Sequence, residues 1–141
     1  MQKIKPGKAQ KPNTLPVGTP PDESGPIRFS FRHLDLYSHP KFCVALCADG
    51  YLEKFLCRVR DLSTLSVREF RTNKSPSLKI HKITWSETKE IAGFSRLNSQ
   101  LRDEQAWQFE ITKNEHGRVH GILLDDTFYI VWIDPSNYLY S

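Results

Sequence analysis

Apolar and polar residues first alternate regularly at Ile27, where Ile27, Phe29 and Phe31 are separated by Arg28, Ser30 and Arg32. A period of two is that of a strand with one buried face, and it predicts a strand from Ile27 to about Leu36. Between Pro40 and the Asp49-Gly50 step, Phe42 to Ala48 is too short and too uniformly apolar for periodicity to assign. From Tyr51 the spacing changes. Leu52, Phe55, Leu56, Val59 and Leu62 recur every three or four residues, which places them on one face of a helix over Tyr51 to Leu62. Ser66-Val67-Arg68-Glu69 then reads as a capping box, hydroxyl and carboxylate each satisfying a free backbone amide, so a second, shorter helix completes a helix hairpin. Thr72 to Gln105 is of mixed polarity and predicts mostly loop, with an extended run at His81 to Trp85 and a helical turn around Leu97 to Leu101.

The last third returns to a period of two. Trp107, Phe109 and Ile111 alternate with Gln108, Glu110 and Thr112; the chain turns through residues 113–117 and comes back along Arg118 to Leu124. Asp125-Asp126 predicts a two-residue turn, and Thr127 to Ile133, dense in β-branched and aromatic side chains, is the last strand. The fold class is therefore α+β: an N-terminal strand, a helix hairpin and a C-terminal three-stranded antiparallel meander. With that turn, Val119, Gly121 and Leu123 share an apolar face with Phe128, Ile130 and Trp132, which predicts the core side. The opposite face then carries Glu110, Arg118, His120, Ile122, Tyr129, Val131 and Ile133, and is expected to be open to solvent.

Composition adds a boundary. Residues 1–26 hold six of the nine prolines, four lysines and only four bulky aliphatics, too little apolar surface to offset the entropy of ordering. They predict a flexible Pro/Lys-rich tail ahead of one domain, 27–141. Lys3, Lys5, Lys8 and Lys11 could contact nucleic acid or a partner there, or belong to a plain linker. The longest apolar run, Phe128 to Ile133, is far shorter than the roughly 20 residues that cross a bilayer, and the N-terminus has no apolar signal region, so a cytoplasmic protein without membrane contact is expected. Cys43, Cys47 and Cys57 form no disulfide framework and suit a reducing compartment. Cys43-x3-Cys47 lacks a second close-spaced ligand pair, and no metal or other cofactor is implied.

RNA cleavage through the 2′-hydroxyl needs a base, an acid for the leaving oxygen and a cation for the charged phosphate. Glu110, His120, Tyr129 and Arg118 are groups of those kinds on one expected face. A cross-strand salt bridge on an ordinary amphipathic sheet accounts for the same residues. A net charge of +4 and a pI near 9.0 permit a phosphate-bearing partner without requiring one.

The order of elements, together with Trp107 to Val119 (WQFEITKNEHGRV), resembles the RelE and YoeB group of bacterial toxins: an aromatic, an alternating strand ending in Ile-Thr, a Glu-His turn and an Arg that opens the next strand. The resemblance implies a RelE-like fold and a metal-independent endoribonuclease acting on messenger RNA at the ribosome, restrained by a cognate antitoxin. It implies that Arg118 stabilises the phosphate, once an extra residue at Gly117 is allowed, and that Tyr138 matches the tyrosine of a C-terminal His-Tyr pair. Asn137 stands where the histidine is expected, so His120 or His116 must substitute, or catalysis has been lost. Glu110 is the candidate base. Arg58, Arg68, Arg71, Lys74, Tyr129 and His116 are candidate RNA contacts. A different class fits the same residues: a non-catalytic module that holds RNA or a protein on an adhesive sheet face formed by Ile122, Val131 and Ile133. Burial of the polar group would remove the catalytic reading while leaving the α+β fold.

Overall fold

The structure, a computed structural model, describes residues 22–113 and 115–140. Its elements in chain order are β1 (Arg28–Ser30), α1 (Tyr51–Leu62), α2 (Val67–Thr72), β2 (His81–Lys82), α3 (Ser99–Arg102), β3 (Ala106–Glu110), β4 (Arg118–Leu124) and β5 (Thr127–Asp134), with single 3-10 turns at Val44–Leu46 and Trp85–Glu87. The Pro/Lys-rich stretch as far as residue 21, with its four lysines, lies outside the described residues. Residues 22–26, also expected in the tail, run along the start of α2: the Gly25 and Glu23 carbonyls accept the Val67 and Arg68 amides, and Glu23 pairs with Arg71 at 2.9 Å.

Both helices form for the reasons their sequences give. In α1, Tyr51, Phe55 and Leu62 are buried on one side, with Val59 packed against the core, whereas Leu52 and Leu56, expected on that same face, are exposed because the sheet contacts only a narrow stripe of the helix. At α2 the Ser66 hydroxyl accepts the Glu69 amide at 3.0 Å and the Glu69 carboxylate accepts the Ser66 amide at 2.8 Å, so two of the free donors at the helix start are satisfied. The helical turn in the long loop is α3, capped by Asn98, whose side chain accepts the Leu101 amide.

The sheet is larger than the expected meander. It has five strands in the order β1-β5-β4-β3-β2, with β1 parallel to β5 and the other pairs antiparallel. β1 ends at Ser30, not near Leu36, and the extended run at residue 81 becomes the opposite edge. Edge strands of three and two residues leave little unpaired backbone for another chain to extend. The turn at Asp125-Asp126 is as expected: Leu124 pairs with Thr127, and Asp125 takes a φ of 57°.

A register shift between His120 and Gly121 changes the faces. Beyond it His120 pairs with Trp132 and Arg118 with Asp134, so β5 holds one residue more than β4 there, as in a β-bulge. Two corrections follow. Ile133, expected outside, joins the main core of Phe55, Leu62, Phe70, Trp107, Phe109, Val119, Phe128 and Ile130 under the helices. Trp132, expected in that core, crosses to the other side.

That other side is not open. The loops cover it with Phe42, Ile83, Phe94 and Leu139, which pack with Ala106, Ile122, Val131 and Trp132 as a second core. The Trp132 ring lies 4.5 Å from Phe42, stacked, and 4.8 Å from Phe94, edge-on. Burying Ile122, Val131 and Trp132 instead of exposing them is worth roughly 2 kcal/mol each, which, with the loops' own apolar side chains, offsets part of the entropy of ordering them. The adhesive face expected from Ile122, Val131 and Ile133 is therefore absent: all three are buried.

Gly121 sits at the bulge, where a Cβ would collide with the Tyr129 carbonyl oxygen and the Phe128 ring. Gly121→Ala is expected to cost about 3 kcal/mol or more. Gly25→Ala, with open space around the added carbon, is expected to be near neutral. Urea unfolding midpoints of the two variants check this; similar midpoints would contradict the close approach at the bulge.

Candidate functional site

At one end of the sheet three charged residues lie side by side on neighbouring strands. Glu110, the last residue of β3, pairs with Arg118, the first of β4, and Arg118 pairs with Asp134, the last of β5. This row borders a polar cleft of about 310 Å³, lined by Glu110, Thr112, Gly117, Arg118, Ser136 and Asn137 among others. Gly117 makes the cleft possible. Its φ is +72°, and a Cβ there would overlap the Asp134 carbonyl oxygen, so only glycine lets the β3-β4 connection close against the end of β5.

Arg118 Nη2 stands 3.7 Å from Glu110 Oε1, and Lys79 Nζ stands 3.9 Å from the same oxygen. Both separations are too long for hydrogen bonds, so Glu110 is held between two cations by charge. Only 4% of its side chain is exposed, and Oε2 has no hydrogen-bond partner among the described residues. Asp134 is fully buried and accepts the Tyr138 amide at 2.7 Å and the Leu139 amide at 3.0 Å, which folds the following residues back over the end of the sheet. Burial raises its carboxyl above the usual range against the pull of those two bonds and of Arg118.

The expected site residues separate into three groups. Arg118 and Glu110 come together at the cleft. His120 does not: it is completely buried in the sheet, edge-on to Phe42 at 5.8 Å, and neither ring nitrogen has a hydrogen-bond partner. Its Nε2 lies 3.7 Å from Asp134 Oδ2, within reach of an ion pair. Burial, reinforced by the positive charges of Arg118 and His81, nevertheless pushes the imidazole from 6.5 down to about 3. Burial drives both partners towards their neutral forms, so the contact is not a salt bridge at neutral pH. His120 cannot serve as a solvent-linked acid.

Tyr138 is also displaced from its expected role. Its backbone is tied to Asp134, but its half-exposed ring does not line the cleft, whereas Asn137, with a φ of 57°, does. His116 lies one side chain from it: its Nδ1 is 2.7 Å from the Thr112 hydroxyl, and Thr112 is part of the wall.

The candidate RNA contacts do not form one surface with the cleft. Arg58 donates through Nε to the Ile111 carbonyl at 2.8 Å and ties α1 to the end of β3. Arg71 pairs with Glu23 and lies over the Trp107 ring at 5.8 Å, on the helix side of the sheet. Arg68 and Lys74 are exposed in and just after α2. Tyr129 is half-buried, 5.4 Å from the His33 ring. Lys79, Thr112 and Asp134 were not singled out from the sequence. Asp134 could have been found only by counting the bulge, and Lys79 sits in a loop without periodicity. Among the described residues no three His, Cys, Asp or Glu side chains gather closely enough to hold a metal ion, and no helix is long and apolar enough to cross a membrane.

The buried imidazole has a measurable consequence. Native His120 stays neutral down to about pH 3, while the unfolded chain takes up that proton near pH 6.5, so the unfolded state binds more protons between the two values. Stability is expected to fall as pH drops through this window, by at most on the order of 1 kcal/mol per pH unit. Asp134 acts in the opposite sense, because its raised carboxyl takes up a proton in the native state first. His120→Leu keeps Asp134 and should flatten the acid limb; urea midpoints from neutral pH to about pH 4 measure it. An equally steep limb in both proteins would rule out His120 as its source. Compared with models of known protein families, with curated proteins and with solved structures, the chain finds no match.

Proposed function

We propose that this chain is a non-catalytic RNA-binding module that grips a phosphate of single-stranded RNA in the cleft at the end of β3, β4 and β5. The reading rests on one observation: Arg118 is positioned on an open polar cleft while the imidazole that would complete acid-base chemistry, His120, is sealed in the second core. A phosphate entering the cleft meets Arg118, while Lys79, which does not line the cleft, acts on it only through its charge beside Glu110. Glu110 opposes the anion, and its closeness to both cations keeps the site from being a strong general anion trap. Binding would be modest and salt-dependent. On this reading the likeness to RelE and YoeB toxins is one of architecture with degenerate chemistry, in a cytoplasmic, bacterial setting. An antitoxin-like protein or the ribosome is the natural partner, and Arg68 and Lys74 would add phosphate contacts outside the cleft.

A second reading, RNA cleavage of the RelE/YoeB type, is favoured by one specific contact. His116 bonds Thr112 at the cleft wall, so an imidazole is one side chain away from Glu110 and Arg118. Glu110 would then take the 2′-hydroxyl proton, Arg118 would stabilise the charged phosphate, and His116, through Thr112, would protonate the leaving oxygen.

One experiment separates them. Labelled single-stranded RNA is titrated with the full chain at several salt concentrations, with and without ribosomes, and the RNA is then resolved by length. Arg118→Ala is expected to weaken binding about tenfold for all sequences alike and to reduce the salt slope by about one, with Arg118→Lys intermediate. The RNA is expected to stay intact. Product that forms with wild type and disappears in both Arg118→Ala and His116→Ala would establish cleavage, and no affinity for RNA even at low salt would overturn both readings.

A further inference from the structure

The side of α1 turned away from the core has an unusual composition for a surface helix. Leu52 and Leu56 are 66% and 54% exposed, and with Glu53, Cys57 and Arg60 they line an open groove along the helix. A second, apolar groove of about 530 Å³ runs beside it, and its walls include the half-exposed Phe31 and the less exposed Leu36, together with Val44, Phe55 and the same two leucines. An apolar surface of this extent on a protein with two filled cores calls for a covering partner.

The order of charges along the helix identifies that partner. Glu53 lies at one end of the stripe, Arg60 at the other, and Leu56 and Cys57 fall midway between them. A rise of 1.5 Å per residue puts both charges about 5 Å from that midpoint. When a second α1 is laid antiparallel across the first about this midpoint, each Glu53 faces an Arg60, twice over, and the apolar centre meets itself. A parallel arrangement would set Glu53 against Glu53. Self-complementarity under a two-fold axis is what an isologous interface requires. Among the described residues the Arg60 guanidinium is engaged by its neighbour Asp61, at 3.2 Å with both side chains mostly exposed, a pair too weak to hold it back. Two turns of helix bury less than the roughly 800 Å² per partner of a stable interface, so Phe31 and Leu36 on the flank must take part.

We propose that the outward face of α1 is a homodimer interface, in which Glu53 of each copy meets Arg60 of the other and Leu56 and Cys57 lie at the two-fold axis. The interface is separate from the Arg118 cleft and does not depend on what the cleft binds.

The test is sedimentation equilibrium of the full chain across a range of concentrations. Wild type is expected to dimerise, and Leu56→Asp to be monomeric with an unchanged circular dichroism spectrum, because Leu56 is outside the core. Glu53→Arg and Arg60→Glu alone should each weaken association about tenfold or more, and the double reversal should restore it to within about threefold of wild type. In a Cys43→Ser/Cys47→Ser background, mild oxidation should link two chains through Cys57. A wild-type chain that stays monomeric, or a dimer indifferent to Leu56→Asp and to the charge reversals, overturns the proposal; the first result would leave the apolar face to a different protein.

Discussion

The bulge at His120 and Gly121 is the constraint on which the rest of the molecule depends. A straight hairpin from the Asp125-Asp126 turn would set Arg118 opposite Ile133 and leave Trp132 under the helices. One additional residue on β5 moves Trp132 to the other side, returns Ile133 to the main core and brings Asp134 level with Arg118. The second core assembles around the displaced indole, and the row Glu110-Arg118-Asp134 exists only in the shifted register. Gly121, without a side chain, allows β4 and β5 to close over the irregularity.

A sheet covered on both sides restricts where chemistry can take place. Polar groups within the strands, such as His120 and Gln108, are sealed from water, and the imidazole responds by shedding its charge. The exposed strand positions are those of the short edge strands, and the cleft opens at the ends of the three central ones. Glu110, Arg118 and Asp134 are terminal residues of their strands, and so this row of charges lies at the margin of the sheet, beside a cleft. The cross-strand salt bridge and the phosphate site considered from the sequence are thus two aspects of one arrangement, because the carboxylate that pairs with Arg118 is also what an incoming anion must compete with.

Local patterns carried much of the fold. The spacing of Phe55 and Leu62, the Ser66-to-Glu69 capping box and the Asp125-Asp126 turn each depend on interactions within a few residues, and each appears in the structure as read. That Glu110 shares a face with Arg118 was legible from hairpin parity, but parity left either His120 or Arg118 as its cross-strand partner, and the register selects Arg118. Long-range features were not. Nothing local to Arg28–Ser30 signals a parallel partner near residue 128, and nothing local to Phe42, Phe94 or Leu139 shows that they cover a sheet face. The bulge was invisible because it changes no residue type, only a count. Once parity was carried past it, the β5 residues Trp132 and Ile133 were given the wrong faces, whereas His120 was given the right face and is buried because the loops cover it.

The pairing of β1 with β5 bears on how the chain folds. Arg28 and Thr127 are neighbours in space and about a hundred residues apart in sequence. Closing a flexible loop of that length costs roughly 4 kcal/mol beyond the constant term, and no single contact recovers it. The β3-β4-β5 hairpins, by contrast, close over short turns and form early. The entropy of closing that loop therefore weighs against β1 docking before the hairpins are in place. With the packing of Phe42 on Trp132, also about ninety residues apart, this pairing makes contacts between distant parts of the chain a defining feature of the fold, which favours slow folding.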